Sequence, residues 1–475
     1  MKPRLLRSAL AVCAIACCFL GFGMVQPSKA NDQISECLNC HRQRNLNANE
    51  GILSSQLFCY DCHLDPASHE DFRDAKVSLQ VKPEYFQQSS HRFVACIQCH
   101  ADVARSPHRS SSGVTCLQCH INFLGAPGTH ASHIRVRCEA CHTDSQFVKL
   151  DVAQNEIKLS RTNTDSLPIS LASHKTTDVT RDEFCIKCHN LNNRVGAPVA
   201  VLPSKSFFCL ACHYAPLQLG SPIFLIALIV ASIGMLGIFA FWFRASVQDE
   251  TSSVHRKIQL GSELVWSKIF SREIFPILKT VFFDILLQRR ILANSVSRWF
   301  VHSLIFYSFF ARFALSLFTL FLQKVSPGSE LAMTLVNKDS GFVATFNDVT
   351  GIFILAGVAW AMFRRYVTKP EYLTTQEQDT VALIIIGLIT LTGFVLEGVR
   401  ILITQIPQQI AISAFAGYLL SRVLSIANVN WQLVYGYLWY VHAILWALFI
   451  AYLPLGKLKH IFTTPLSLIL NYKKE

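Results

Sequence analysis

The chain has 475 residues, about half of them hydrophobic (51%) and few charged (16%), with a formal net charge of +12 and 17 cysteines. That balance excludes an intrinsically disordered chain and a small soluble domain, and it points to a membrane protein of two or three domains. The basic excess does not read as a polyanion site, because much of it stands beside apolar spans.

The first residues, MKPRLLR, form a basic start to an apolar run from about Ser8 to Val25. Ser28 and Ala30 supply the small residues that a signal peptidase reads, so 1–30 is expected to be a signal peptide cleaved after Ala30. Cys13, Cys17 and Cys18 lie inside that segment. The other 14 cysteines are then exported.

Those 14 fall without remainder into seven CxxCH motifs. The thiols are Cys37 and Cys40, Cys59 and Cys62, Cys96 and Cys99, Cys116 and Cys119, Cys138 and Cys141, Cys185 and Cys188, Cys209 and Cys212. The histidines that follow are His41, His63, His100, His120, His142, His189 and His213. Two thiols three residues apart reach the two vinyl groups of one haem and form thioethers, and the adjacent imidazole meets the iron. A disulfide framework gives no reason for a histidine after every second cysteine. Zinc ribbons pair one CxxC with another and do not need it either. Seven covalent haems c are therefore expected, and their propionates would offset part of the formal positive charge.

Sixth ligands can be sought in the same segment. Residues 31–217 contain no methionine, which excludes His/Met coordination from within it. They hold six further histidines, His69, His91, His108, His130, His133 and His174, as candidate distal ligands. Several precede a motif closely, as in His91-Arg-Phe-Val-Ala-Cys96 and His133-Ile-Arg-Val-Arg-Cys138. His130 and His133 stand so close together that a surface role for one of them stays open. Seven irons and six spare histidines do not balance: one haem is five-coordinate, takes another residue such as lysine, or borrows a ligand. About 190 residues for seven haems is too little polypeptide for a core of its own. The expected fold of 31–217 is a periplasmic heptahaem domain of short helices and loops packed on porphyrins. The long polar gaps 64–95 and 143–184 read as loops or short helices, and spacings of 22, 37, 20, 22, 47 and 24 residues are too uneven for a solenoid.

From 218 to 475 the pattern changes. Five apolar spans, at about 221–243, 299–322, 346–364, 380–404 and 432–455, are each long enough to cross a bilayer as a helix. The fold class is thus mostly α, a five-helix transmembrane bundle following the haem-packed domain. Segment 244–298 carries nine Lys/Arg, Arg364, Arg365 and Lys369 follow the third span, and Lys457, Lys459, Lys473 and Lys474 follow the fifth. The opposite loops have only Lys324, Lys338 and Arg422. The asymmetry puts the cysteine motifs in the periplasm and the C-terminus in the cytoplasm of a bacterial-type inner membrane. His255 falls in the basic segment, where a solvated role is expected. His302 and His442 fall within spans, where ionisable side chains are costly and default to function.

The runs Arg289-Arg290…Arg298-Trp-Phe-Val-His302-Ser-Leu-Ile-Phe-Tyr-Ser-Phe-Phe-Ala-Arg312 and His442…Leu453-Pro-Leu-Gly-Lys-Leu-Lys-His460 resemble the cytochrome b subunit of respiratory nitrate reductases (the gamma subunit) and the membrane subunit of heterodisulfide reductases. The resemblance covers about 221–475. It implies two bis-His haems b, with two histidines ten apart on the second span and two eighteen apart on the fifth. His442 and His460 match the second pair; His302 matches half of the first, and Arg312 stands where the other histidine is expected. His302 and His460, both near the cytoplasmic end, then share one haem b. His442 is roughly 20 Å higher and level with Arg312, where a second haem b or a quinone is left open. Glu397 and Arg400, toward the outer end of the fourth span, are with Arg312 the candidate quinone and proton site, an ion pair being the alternative for the first two.

The expected function is membrane-bound respiratory electron transfer between the quinone pool and a periplasmic cytochrome or reductase, with quinone as substrate and further membrane or cytoplasmic subunits as partners. No nucleic acid is implied. The direction of flow stays open. The alternative is a terminal reductase of nitrite, hydroxylamine or sulfite type at a haem lacking its sixth ligand, although no CxxCK motif is present.

Overall fold

The computed structural model describes residues 56–57, 59–60, 63–65, 69–72, 75–78, 80–100, 116–123, 130, 133–143, 148–152, 154–159, 182–242, 253–270, 274–370 and 373–470. The expected signal peptide, the first motif, Cys62, His108 and His174 lie outside these residues, as does the side chain of His69.

The described motifs share one local geometry. Cys96–Cys99, Leu117–His120, Cys138–His142 and Phe207–Ala211 are single helical turns, and Asp182–Ile186 leads into the sixth motif. The amide of His100, His120, His189 and His213 donates to the carbonyl of the first cysteine of its own motif at 2.9–3.0 Å. A turn closed in this way sets residues i, i+3 and i+4 on one side, which is where two thiols and an imidazole must stand to grip one porphyrin.

Between the motifs the structure departs from the expectation of loops and short helices. Two antiparallel hairpins occupy the long gaps: β1 (His69–Phe72) pairs with β2 (Ala75–Ser78), and β3 (Val148–Asp151) with β4 (Glu156–Leu159). In the second, Val-Lys-Leu-Asp and Glu-Ile-Lys-Leu alternate apolar with polar, and Asn155 turns the chain at φ 55°, a conformation asparagine tolerates. β4 also binds the run before the fifth motif, through Arg137 N to Ile157 O and Ile157 N to Arg135 O at 2.8 Å each. The ribbon thus holds that motif in place without a core of its own.

Five helices are long and apolar enough to cross a membrane, and the chain is a multi-pass membrane protein, mostly α. We label them with their neighbours as α1 (Pro222–Trp242), α2 (Val254–Ile269), α3 (Val296–Val325), α4 (Gly341–Phe363), α5 (Glu377–Thr404), α6 (Phe415–Leu424), α7 (Trp431–Tyr452) and α8 (His460–Leu470). The spans are α1, α3, α4, α5 and α7, within a few residues of the expected bounds. Ser295, Ser340 and Asn430 cap α3, α4 and α7 by accepting from the amides of Arg298, Val343 and Leu433. α1 packs on α7, α3 on α4, and α5 on α4, α6 and α7. The core holds Phe224, Ile354, Val358, Ile386, Ile389, Ala443, Trp446 and Phe449. Ile226, Ile233 and Leu236 of α1 are exposed, as expected for a helix whose outer surface meets lipid.

The cysteine-bearing segment is seated on one end of this bundle, the motif face. Asp339, in the loop before α4, accepts from Arg135 and, at 3.2 Å, from Asn155 Nδ2, both of the cysteine-bearing segment. Its other oxygen accepts from Arg400 of α5 at 2.7 Å. Gln432 of α7 donates to Asn193 O at 3.2 Å. Gly196 lies so close to the end of α5 that a Cβ would stand 2.1 Å from Ile403 O, and its φ is +70°. The Asp339 side chain is 5% exposed and that of Arg400 13%. Asp339→Ala leaves two guanidinium groups facing each other without a counter-charge, and is expected to destabilise the docking by about 3 kcal/mol. Faster protease cleavage within 130–160, with the bundle's own melting little changed, is the result to look for; equal cleavage would show the contact contributes nothing.

Candidate functional site

At the end opposite the motif face, the structure brings His302 of α3 and His460 at the start of α8 together, with ring centroids 6.3 Å apart. Two imidazoles on opposite faces of one iron, each on a metal–nitrogen bond of ~2 Å, have centroids about 6 Å apart. His302 Nδ1 donates to Gln288 Oε1 at 3.0 Å, and His460 Nδ1 to the Lys457 carbonyl at 2.9 Å. Committing Nδ1 in this way assigns metal binding to Nε2 and fixes the ring. Gln288, 3% exposed and in the left-handed region at φ 55°, keeps its Nε2 without a partner among the described residues. A haem propionate is an acceptor for it. The donor set, the spacing and the orphaned amide fit a haem b, and Phe306 stacks beside His302 at 5.9 Å.

On the motif face the histidines pair by a rule. His91 lies 5.9 Å from His120, His130 6.3 Å from His142, and His133 6.0 Å from His189, centroid to centroid. Each pair joins a motif histidine with a spare one. His130 and His133, three residues apart, go to different motifs. Burial, before any neighbouring charge, holds His91, His130 and His189 below the usual imidazole range. They are thus neutral near pH 7, the form that ligates iron. His189 Nδ1 is committed to the Pro198 carbonyl at 2.7 Å. The eleven described motif cysteines are all free thiols. His69 falls in β1 and His100 closes its own motif turn.

The seventh motif sits elsewhere. Phe208, Cys209, Ala211 and Cys212 pack on the bundle core, and Trp446 Nε1 of α7 donates to Phe208 O at 3.0 Å. Cys212 and His213 open on a recess of about 420 Å³, shared with Arg312, Lys205 and Lys338. No carboxylate is among its lining residues. Arg312 is held from α4, by Thr350 Oγ1 at 2.7 Å and the Asn347 carbonyl. His442 stands deeper on α7, its Nδ1 2.9 Å from Thr392 Oγ1. That hydroxyl spends its own proton on the Leu388 carbonyl at 2.8 Å, so the imidazole is the donor.

Glu397 and Arg400, read from sequence as a proton pair or an ion pair, part company. Arg400 turns to Asp339. Glu397 instead hydrogen-bonds Asp348, a fully buried carboxyl of α4 that also accepts from Ala416 N at 2.7 Å. A hydrogen bond between two carboxyl groups needs one proton between them. Gly417 of α6 lies over this pair; a Cβ there would meet Glu397 Cγ at 2.5 Å. His255, at the start of α2, is exposed. Sequence reasoning missed Asp348, Gln288, Lys205 and Lys338. Asp348 was detectable as an acid inside an apolar span; the other three carry no local signal.

Residues 278–468 match HdrE, the family of dihydromethanophenazine:CoB–CoM heterodisulfide reductase membrane components. The HdrE protein of Methanosarcina thermophila is 30% identical over 200 residues, 41% of this chain and 67% of that protein. The carboxyl-terminal part of the chain belongs to this family. The HdrE protein of Methanosarcina acetivorans is 29% identical over 198 residues, 41% of this chain and 67% of its own length. The EtfAB:quinone oxidoreductase of Syntrophomonas wolfei is 30% identical over 197 residues, 39% of this chain and 26% of that protein. No solved structure matches. The HdrE match begins after α2, so all seven CxxCH motifs precede it, while His302, Arg312, Glu397, Arg400, His442 and His460 lie within it.

Proposed function

We propose that this chain is a quinone-linked membrane cytochrome that passes electrons from quinol to a periplasmic redox partner through haem b and seven covalent haems c. The observation that carries the reading is the seating of a CxxCH motif, Cys209–His213, directly on a heterodisulfide reductase-type bundle. A string of haems ending against a membrane redox module has no storage or purely structural use. Support comes also from the relatives, whose names carry dihydromethanophenazine and quinone as redox partners.

In this reading residues 1–30 are a signal peptide, 31–217 the periplasmic heptahaem domain and 218–475 the membrane domain, with the C-terminus in the cytoplasm. His302 and His460 hold the haem b, which supplies the one-electron carrier inside the bundle. Gln288 and the Lys457 carbonyl orient the two imidazoles. The acid pair Glu397–Asp348, near the motif face, takes the protons that a quinol must shed on oxidation; Arg400 anchors the haem domain through Asp339. The neutral imidazoles of 31–217 each commit to one motif, which fixes the order of the wire.

The test is direct. Purified protein in lipid nanodiscs is mixed with a menaquinol analogue, and the covalent haem bands are followed. Reduction within seconds is expected. A chain with its full haem content that stays oxidised by quinol, yet is reduced by dithionite, would end this reading.

A further inference from the structure

We propose that His442 is the sixth ligand of the haem carried by Cys209, Cys212 and His213, so that a covalent haem occupies the level where the HdrE pattern calls for a second haem b. The inference rests on the reading that the CxxCH motifs carry haem.

The ligand count leads to it. Three motif histidines are already matched by spare ones, His120 by His91, His142 by His130 and His189 by His133. His41, His63 and His100 remain, against His69, His108 and His174. The exported segment has no histidine left for His213.

Placement supplies one. The seventh motif is built into the bundle, and the residues it rests on, Ala443 and Trp446, are one and four positions beyond His442 on α7. Such positions share a helix face or adjoin it. His442 is among the ionisable groups that act on His213 through space, with Lys205 and Lys338. Both imidazoles are prepared alike, His213 Nδ1 on the Tyr214 carbonyl at 3.3 Å and His442 Nδ1 on Thr392, which leaves Nε2 of each for iron.

Arg312 explains why the site differs from a second haem b. A guanidinium has no lone pair to offer iron, so the second span cannot pair with His442. Instead its charge joins Lys205 and Lys338 around a recess without a carboxylate among its lining residues. Three cations facing one cavity need anions, and the two propionates of a haem supply them. The substitution of histidine by arginine and the arrival of a thioether-bound haem are then one change: the arginine gives up ligation, and the seventh motif brings both an iron ligand, His213, and its own porphyrin.

The experiment uses the full chain, expressed with cytochrome c maturation and purified in detergent, with covalent and acid-extractable haem counted separately. Seven covalent haems and one extractable haem are expected in the wild type. His442→Ala should keep both counts and turn one low-spin ferric haem high-spin, with added imidazole restoring it. His442→Met, of similar volume, should stay low-spin and raise the potential of one covalent haem; it carries the test where the alanine variant does not assemble. Two extractable haems in the wild type, one of them lost in His442→Ala, would overturn the proposal in favour of a haem b. An unchanged spin state in His442→Ala, or a high-spin haem appearing in Lys338→Ala instead, would also overturn it. A wild type without covalent haem would defeat the underlying reading, an outcome visible before any variant is made.

Discussion

His302→Ala is expected to abolish the extractable haem and to slow quinol-driven reduction of the covalent haems by more than about 100-fold. The expectation follows from geometry: His302 and His460 stand 6.3 Å apart, as two ligands of one iron do, and no other histidine lies at that end of the bundle among the described residues apart from exposed His255. Losing one of two axial ligands should exceed the 10–100-fold effects that follow loss of a group merely orienting a ligand. Gln288→Leu belongs to that milder class, since it removes the acceptor at 3.0 Å from His302 Nδ1 while sparing both imidazoles. The covalent count should stay at the wild-type value in both variants, and dithionite should still reduce every covalent haem. Full quinol-driven rates in His302→Ala would show that electrons bypass this pair.

How far the sequence reached depended on whether a feature was local. CxxCH is local: five consecutive residues set the turn, the thiols and the imidazole, and every described motif adopts it. Apolar runs are local too, so the five spans were legible within a few residues. The meeting of His302 with His460 needed a family pattern, because 158 positions separate them (460 − 302) and nothing in either neighbourhood names the other. The hairpins were not legible. Four-residue strands such as Ala75–Ser78 and Val148–Asp151 are too short for alternation to stand out, and their partners are set by the ribbon as a whole.

Charged partners inside the bundle were the least accessible. Glu397 and Arg400 are three residues apart on a helix, a spacing that suggests a pair. The structure gives each a better partner from another element: Asp339 lies beside Arg400, and Asp348 beside Glu397. A buried arginine prefers a carboxylate that it can reach with good geometry and without neutralising an acid already bound elsewhere. That choice depends on the loop before α4, whose path the sequence does not disclose. The same loop carries Lys338 into the recess beside Lys205 and Arg312, where the cysteine motif of a distant segment meets the membrane core.

Glu397→Gln is expected to slow quinol oxidation by about 100-fold, the lower range of what a positioned acid–base group contributes. Oxidising a quinol releases two protons with its two electrons, so an acceptor must lie beside the site and hand protons onward. The Glu397–Asp348 pair is built for that: it already shares one proton, it is buried, and it lies in the motif-side half of the bundle, with Asp348 0% exposed. The amide keeps a donor toward Asp348 and nearly the same volume beneath Gly417, so folding should be preserved. Asp348→Asn should act in the same direction while Ala416 N keeps its acceptor. Electron transfer among the haems needs no proton from this pair, so dithionite reduction and redox potentials should stay as in the wild type while the quinol rate falls. If instead Glu397→Gln leaves both the rate and its pH profile unchanged, the pair only ties α4 to α5, and the protons leave by another route.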